Sequence, residues 1–336
     1  MSTPAPVVVS LKNPPAFITL QAHMLAEERR YPGTSGHLSW IVSALAIAAK
    51  TIAAKLKNAG IEDVLGDFGS QNVQGERQQK LDVIANHLLI QLLGQREGVA
   101  VIGSEENDEL LMVEAEAGGG QRFAVLFDPL DGSANLDVGG NVGTIFSIFE
   151  VPPGGEQLLQ PGRRQVAAGY VLYGSSTIFV LTAGHGVHLF VLDTAVGAFI
   201  RVQRDLRIPA VGQIYAVNEA NLDSFPAGYQ RYLAQCRETG FTSRYAGAMV
   251  ADVHRVLLKG GIFLYPPTAR APTGKLRLMY EANPMAMIIE QAGGLASTGG
   301  GAILDVCPEH LHQRVPVALG SPENVTALLA ELVRQA

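Results

Sequence analysis

Asp128-Pro129-Leu130-Asp131-Gly132-Ser133 follows directly on the apolar run Phe123 to Phe127, and no other segment restricts the chain so tightly. A short apolar run bounded by Pro and Gly reads as a buried strand, so the hexapeptide lies at a strand end. Pro129 presets φ at the second position of a turn, and the turn geometry brings Asp128 and Asp131 together. Gly132 lets the backbone approach a ligand closely, and the N–H groups from Ser133 to Asn135 can then face an anion. A metal and a phosphate would sit side by side on such a turn. The same residues also fit an acidic surface turn that touches nothing, and the other carboxylates of the chain bear on that choice.

A second strand, Val99 to Ile102, delivers Ser104-Glu105-Glu106-Asn107. Neighbours in an extended segment point to opposite sides, so Glu105 and Glu106 divide two tasks, one on a metal and one on water. Glu281 ends the apolar stretch that begins at Lys275, where a carboxylate is harder to read as merely solvated. Hard cations such as Mg²⁺ and Mn²⁺ take oxygen ligands and bridge to phosphate, which Glu105, Asp128, Asp131 and Glu281 would supply. Glu76 and Asp82 flank the start of a helix near Leu81, where acids also simply suit the helix dipole. The tract Cys307 to His312 lacks a fourth partner for zinc. His254, on an apolar helical stretch, reads as a structural, hydrogen-bonded histidine. No nucleotide phosphate loop and no Gly-x-Gly-x-x-Gly fingerprint occurs, and the glycine triplets at 118–120 and 299–301 read as turns.

The 336 residues suffice for two medium domains around real cores. Residues 1–33 carry Pro4, Pro6, Pro14, Pro15 and Pro32 and read as an arm. Leu38, Ile41, Val42, Leu45, Ala49, Ile52 and Leu56 recur at helical spacing up to Gly60, and a second helix runs from about Leu81 to Leu93. Strand-rich segments at 142–150, 166–173, 177–182 and 187–192 follow, with the loop from Pro152 to Gly162 expected to break that sheet. The fold class is α+β in a domain spanning 34–203 and more α/β in a domain spanning 204–336, which ends in a helix from Glu323 to Arg334. A net charge of −6 argues against nucleic acid as a partner. No uninterrupted apolar run reaches the length of a membrane span, no secretory signal is visible, and Cys236 and Cys307 suit a reducing compartment, so the cytoplasm is expected.

Taken together, four blocks resemble class I fructose-1,6-bisphosphatases, within the wider magnesium-dependent, lithium-sensitive sugar phosphatases. They are Asn72 to Glu76 with Lys80 to Val83; Ser104 to Asn107; Asp128 to Asn135; and Arg244-Tyr245 through Ala251 to Arg255 to Gly274 to Pro284. The resemblance runs from about Gly33 to the C-terminus. It implies a layered α-β-α-β-α sugar phosphatase fold, assembled as a homotetramer. It also implies hydrolysis of D-fructose 1,6-bisphosphate to fructose 6-phosphate and phosphate, within gluconeogenesis or the Calvin cycle.

By that resemblance Glu105, Asp128, Asp131 and Glu281 are metal ligands, with the Leu130 carbonyl adding an oxygen and Glu76 facing a third position. Two to three Mg²⁺ ions, or Mn²⁺, are implied for each active site. Asp82 and Glu106 fall where the family orients and deprotonates the attacking water. Gly132 and Ser133 would hold the 1-phosphate, and Asn218, Tyr245, Tyr265 and Lys275 the 6-phosphate, with Arg244 entering from a neighbouring subunit. A lysine charge with hydroxyl and amide donors suits a dianion that is bound but not cleaved. Ala134 stands where a second serine is usual, and Asn221 where animal members carry a tyrosine. The AMP site of animal enzymes uses a Thr-Gly-Glu turn and a Lys-Tyr pair, which here read Ser35-Gly36-His37 and Arg122-Phe123. Sedoheptulose 1,7-bisphosphate is a further candidate substrate. An inositol monophosphatase-like activity and a non-enzymatic sugar-phosphate sensor are the competing readings; the Lys275 to Pro284 block and the complete carboxylate set argue against them.

Overall fold

A computed structural model describes residues 17–31, 36–61, 65–71, 77–114, 121–152 and 159–334. Helix α1 (Leu20–Arg30) is capped by Thr19, whose Oγ1 accepts the Ala22 N–H at 3.1 Å. Pro4, Pro6, Pro14 and Pro15 of the expected arm precede it and Pro32 follows it, so Leu20–Arg30 is helical rather than part of an arm. Helix α2 (Gly36–Lys57) buries Ile41, Val42, Leu45, Ala49 and Ile52, the positions read from the periodicity. By length and composition α2 is long and apolar enough to cross a membrane, because its many alanines keep the mean hydropathy at 1.4 across the charge of Lys50. Its apolar face packs on α3 (Lys80–Gly94) and the large sheet.

After the short ladder β1 (Asp67–Gln71) and β2 (Arg77–Gln79) comes an eight-stranded sheet. Its strands are β3 (Val99–Ser104), β4 (Leu111–Met112), β5 (Phe123–Asp131), β6 (Val142–Glu150), β7 (Gln165–Tyr173), β8 (Thr177–Thr182), β9 (His188–Asp193) and β10 (Ala198–Gln203). The order is β10-β9-β8-β7-β6-β5-β3-β4, with β3 parallel to β5 and the other pairs antiparallel. β6 and β7 pair directly along their length, so the 152–162 loop joins neighbours and does not break the sheet.

The second sheet, order β12-β11-β13-β17-β15, joins β11 (Ile214–Ala216), β12 (Thr242–Ser243), β13 (Ile262–Tyr265), β15 (Leu295–Ser297) and β17 (Val317–Gly320). A short ladder of β14 (Leu276–Arg277) with β16 (Arg314–Val315) lies beside it. Helices α4 (Ala227–Glu238), α5 (Met249–Lys259), α6 (Asn283–Gln291) and α7 (Pro322–Val333) complete the chain.

Strand alternation sets the layers. Phe123, Val125 and Phe127 pack with α1, α2 and α3, whereas Ala124 and Leu126 join a core with α5, α6 and Phe263. Ile262 and Leu264 face a third core with α4 and α7. Helices, sheet, helices, sheet and helices therefore stack as α-β-α-β-α. In the middle helical layer all the residues of α6 from Asn283 to Ile289 are buried.

Candidate active site

The hexapeptide does not form the expected turn. β5 continues through it to Asp131, and its register against β6 slips between Asp128 and Asp131. Pro129 has no N–H for the ladder, which a bulge tolerates, and its carbonyl accepts from Thr144 Oγ1 at 2.9 Å. The bulge has the effect foreseen for the turn: both carboxylates face one point. Asp128 Oδ1 accepts the Leu130 N–H at 2.9 Å, and Asp131 Oδ2 accepts the Val250 N–H of α5 at 2.7 Å. Gly132 follows at φ 76°, where an added Cβ would stand 2.4 Å from Ala248 Cβ, so only glycine fits. A 3₁₀ turn (Ser133–Val138) begins next, and the Asn135 N–H is spent on the Gly132 carbonyl at 2.8 Å. That amide does not join the anion cradle.

Glu105 leaves the end of β3, its N–H bonded to the Phe127 carbonyl at 3.1 Å. Glu281 sits in a single π-helical turn (Leu278–Ala282) between β14 and α6, and its Oε2 accepts the Arg277 N–H at 2.6 Å. Oxygens of Asp128, Asp131 and Glu281 lie within 4.8 Å of one another, and all three residues are buried. Glu105 adjoins them, with Oε1 2.5 Å from Arg277 Nη1 and Oε2 buried without a hydrogen-bond partner.

Burial pushes the Glu105 carboxyl well above the ordinary range, Glu281 pushes it further, and Arg277 offsets part of the rise. Asp128 rises for the same first reason, then through Glu105, Asp131 and Glu281. Asp131 rises by burial and Glu281, against the amides of Val250 and Met249. A buried set of oxygens that repel one another, one of them unpartnered, is what a hard divalent cation resolves. The residues therefore fit a metal. Among the described residues no other group of His, Cys, Asp and Glu converges in this way, and in the Cys307 to His312 tract His312 Nε2 bonds the Asn107 carbonyl at 3.0 Å instead.

Asp82 enters from the first turn of α3, with Oδ2 accepting the Gln79 N–H at 2.9 Å. Burial, and then Glu106, push it up to about 7 against its hydrogen bonds from Gln79 and Ser133. Glu106 is half-buried, its N–H donating to Ser104 Oγ at 3.2 Å.

One cavity of about 350 Å³ collects these groups. Asp82, Glu105, Glu106, Asp128, Leu130, Asp131, Gly132, Ser133 and Glu281 line it together with Asn218, Tyr245, Tyr265 and Lys275. Asn218 caps a short 3₁₀ turn through its Oδ1, Tyr265 ends β13 and Lys275 precedes β14. Arg244 is exposed, donates to the Ser243 carbonyl at 2.9 Å and does not line the cavity. Glu76 and the Asn72 to Glu76 block lie outside the described residues. The Arg122-Phe123 pair is engaged elsewhere: Arg122 Nη2 donates to the Val113 carbonyl and Phe123 is buried in the sheet. His254 is structural as expected, its Nδ1 2.8 Å from Tyr170 Oη. Sequence reasoning assigned no place to Arg277, Met249 or Asp252, which also line the cavity. Arg277 had a signal, an opposite charge four residues before Glu281.

A layered α/β fold with buried cation-ready carboxylates beside a glycine turn defines the class of phosphatases. A model of "Fructose-1-6-bisphosphatase, N-terminal domain" matches residues 18–204, and that of the C-terminal domain matches residues 208–332. The structure of Leishmania major fructose-1,6-bisphosphatase in holo form is similar at 37% identity and a TM-score of 0.89, covering 95% of this chain and 100% of that one. The apo form of the same enzyme is similar at 36% identity and a TM-score of 0.84, with the same coverage. The chain belongs to the fructose-1,6-bisphosphatase family.

Proposed function

We propose that this chain hydrolyses the 1-phosphate of D-fructose 1,6-bisphosphate by in-line attack of water, giving fructose 6-phosphate and phosphate. A single observation carries the reading: one cavity is lined both by the carboxylate cluster and by a lysine with two tyrosines and an asparagine. A substrate with two phosphates matches that pairing. Glu105, Asp128, Asp131 and Glu281, with the Leu130 carbonyl, would hold two to three Mg²⁺ or Mn²⁺ ions, and Glu76 would face the third. When bound, such ions neutralise phosphoryl oxygens, activate water and stabilise the leaving alkoxide.

Asp82 and Glu106 orient the attacking water and take its proton, a task suited to a carboxyl pushed up to about 7. Gly132 and Ser133 cradle the phosphate to be cleaved. Asn218, Tyr245, Tyr265 and Lys275 hold the other phosphate, so that its binding energy aligns the first. Arg244 points away from its own cavity, which is compatible with service to a neighbouring subunit of a homotetramer. We assign the residues to about 203 to a domain carrying the metal site, and those from 204 to one carrying the remote phosphate pocket. The reading places the chain in gluconeogenesis or the Calvin cycle, in the cytoplasm.

The test is phosphate release with Mg²⁺ from fructose 1,6-bisphosphate, sedoheptulose 1,7-bisphosphate and inositol 1-phosphate, each with and without AMP. Preference for the bisphosphates is expected, and their ratio reports whether sedoheptulose bisphosphate is also accepted. Preference for inositol 1-phosphate would overturn the two-phosphate reading.

A further inference from the structure

Ala246 is gripped through both of its backbone polar groups. Its N–H donates to Asp252 Oδ1 at 2.8 Å, and its carbonyl accepts from Asn135 Nδ2 at 3.1 Å. Asn135 Nδ2 also reaches the Asn141 carbonyl at 3.2 Å, which fixes the amide's orientation with oxygen away from both acceptors. These residues belong to different parts of the site. Asn135 lies two residues after Ser133, in the 3₁₀ turn at the cleaved-phosphate end. Ala246 lies between Tyr245 and Gly247, both in the cavity wall. Asp252 is 1% exposed in the first turn of α5, the helix whose Val250 N–H holds Asp131.

The contact beside this bridge has no slack, since Gly132 and Ala248 leave no space for one extra methyl group. Gly247, at φ 77°, bends the chain between the gripped Ala246 and Ala248. The turn under one phosphate and the tyrosine wall of the other are thus joined through a single residue. Remote binding energy can align a reacting group only if the two ends are mechanically continuous.

We propose that Asn135 and Asp252 are positioning residues that clamp the backbone of Ala246, so that occupation of the remote phosphate pocket fixes the alignment of the phosphate being cleaved. This rests on the two-phosphate function proposed above. Neither side chain need touch substrate: Asn135 acts through the Ser133 turn, and Asp252 acts through the Tyr245 segment.

The experiment compares kcat for fructose 1,6-bisphosphate with kcat for fructose 1-phosphate, which lacks the remote phosphate, in the wild type, Asn135→Ala, Asp252→Ala and Asp252→Asn. In the wild type the ratio should lie well above one. Asn135→Ala should lower it about tenfold, the weight of a hydrogen bond or two, and leave kcat for fructose 1-phosphate within about twofold, and Asp252→Ala should lower the ratio likewise. Asp252→Asn keeps an acceptor oxygen for the Ala246 N–H and should restore the ratio. An unchanged ratio in Asn135→Ala, or equal losses on both substrates, would overturn the clamp while leaving the function intact. A wild-type ratio near one would overturn the function and the clamp with it. If Asp252→Ala shows no cooperative melting, Asn135→Ala decides, because Asn135 is only half-buried.

Discussion

Arg277 Nη1 meets Glu105 Oε1 at 2.5 Å in the protein interior, while the second oxygen of the same carboxylate has no hydrogen-bond partner. Glu105 is thus half neutralised by the chain and half left for a cation. Removing one partner of a buried pair leaves an uncompensated charge, at a cost of about 3 to 5 kcal/mol. Arg277→Leu should lose about that much stability in the presence of chelator and clearly less in saturating Mg²⁺. Urea unfolding under both conditions measures the difference, and equal losses would show that no cation answers the same carboxylate.

Asp128 touches the other proposed ligands and carries no salt bridge of its own among the described residues. Asp128→Ala should abolish turnover, a loss of at least about a thousandfold, and weaken metal binding. Phosphate release and calorimetric Mn²⁺ titration read the two effects separately. Near-normal kcat at saturating Mg²⁺ would sink the ligand assignment.

The acidic cluster also sets a pH dependence of stability. Asp82 ionises near 3.8 when unfolded and near 7 when folded, and Glu105, Asp128 and Asp131 move the same way. Between those values the folded state binds more protons, so stability falls as pH rises, by at most about 1.4 kcal/mol per group and pH unit. In chelator the melting temperature should drop from pH 5 to pH 8, and Mg²⁺ should flatten or reverse the trend. A chelated melting temperature that rises across this window would contradict the buried, unneutralised cluster.

Far from the site, His23 of α1 and His188 of β9 face each other with ring centroids 4.2 Å apart. His23 Nδ1 lies 3.2 Å from Arg201 Nη1, and His188 Nδ1 accepts the Asp205 N–H at 3.3 Å, so both rings must be neutral. Burial holds them down to about 3 and about 4. Here the unfolded chain binds more protons below pH 6.5, and stability is lost as pH falls from there towards 4. His23→Phe should lessen the fall in melting temperature between pH 6.5 and 4.5. A fall as steep as in the wild type would show that α1 is not the acid-labile element.

At the remote end, Lys275 is exposed beside the cavity and offers a point charge without fixed geometry. Lys275→Ala should raise KM for fructose 1,6-bisphosphate about ten- to a hundredfold and change kcat for fructose 1-phosphate little. Steady-state kinetics on both substrates checks this, and an unaltered KM would move the remote phosphate elsewhere.

Legibility followed chemistry more closely than geometry. Carboxylates at strand ends announce themselves, and Asp128, Asp131, Glu105 and Glu281 do converge. The turn drawn around Pro129 became a bulged strand, because β6 pairs past the proline and tertiary pairing overrides a local turn preference. Helix α1 was hidden behind a proline-rich approach, although Thr19 is an ordinary cap signal. Asn135 and Asp252 could not be found by spacing, since their meeting point is the backbone of Ala246, more than a hundred residues from one of them. The five layers were foreseen from the family resemblance, whereas the pattern of residues alone favoured only α+β followed by α/β.

The π-helical turn at Leu278–Ala282 makes Glu281 unusually sensitive to chain length. Such a turn is a helix holding one residue too many, and removing that residue restores the regular ladder. A regular helix advances about 100° per residue, so deleting any one of Leu278, Met279 or Tyr280 would rotate Glu281, together with α6, relative to β14 by about that angle. The carboxylate would keep its identity and nearly its place in the chain, yet lose its present aim at Asp128 and Asp131. Along this stretch the site is encoded by a count of residues as much as by their kinds.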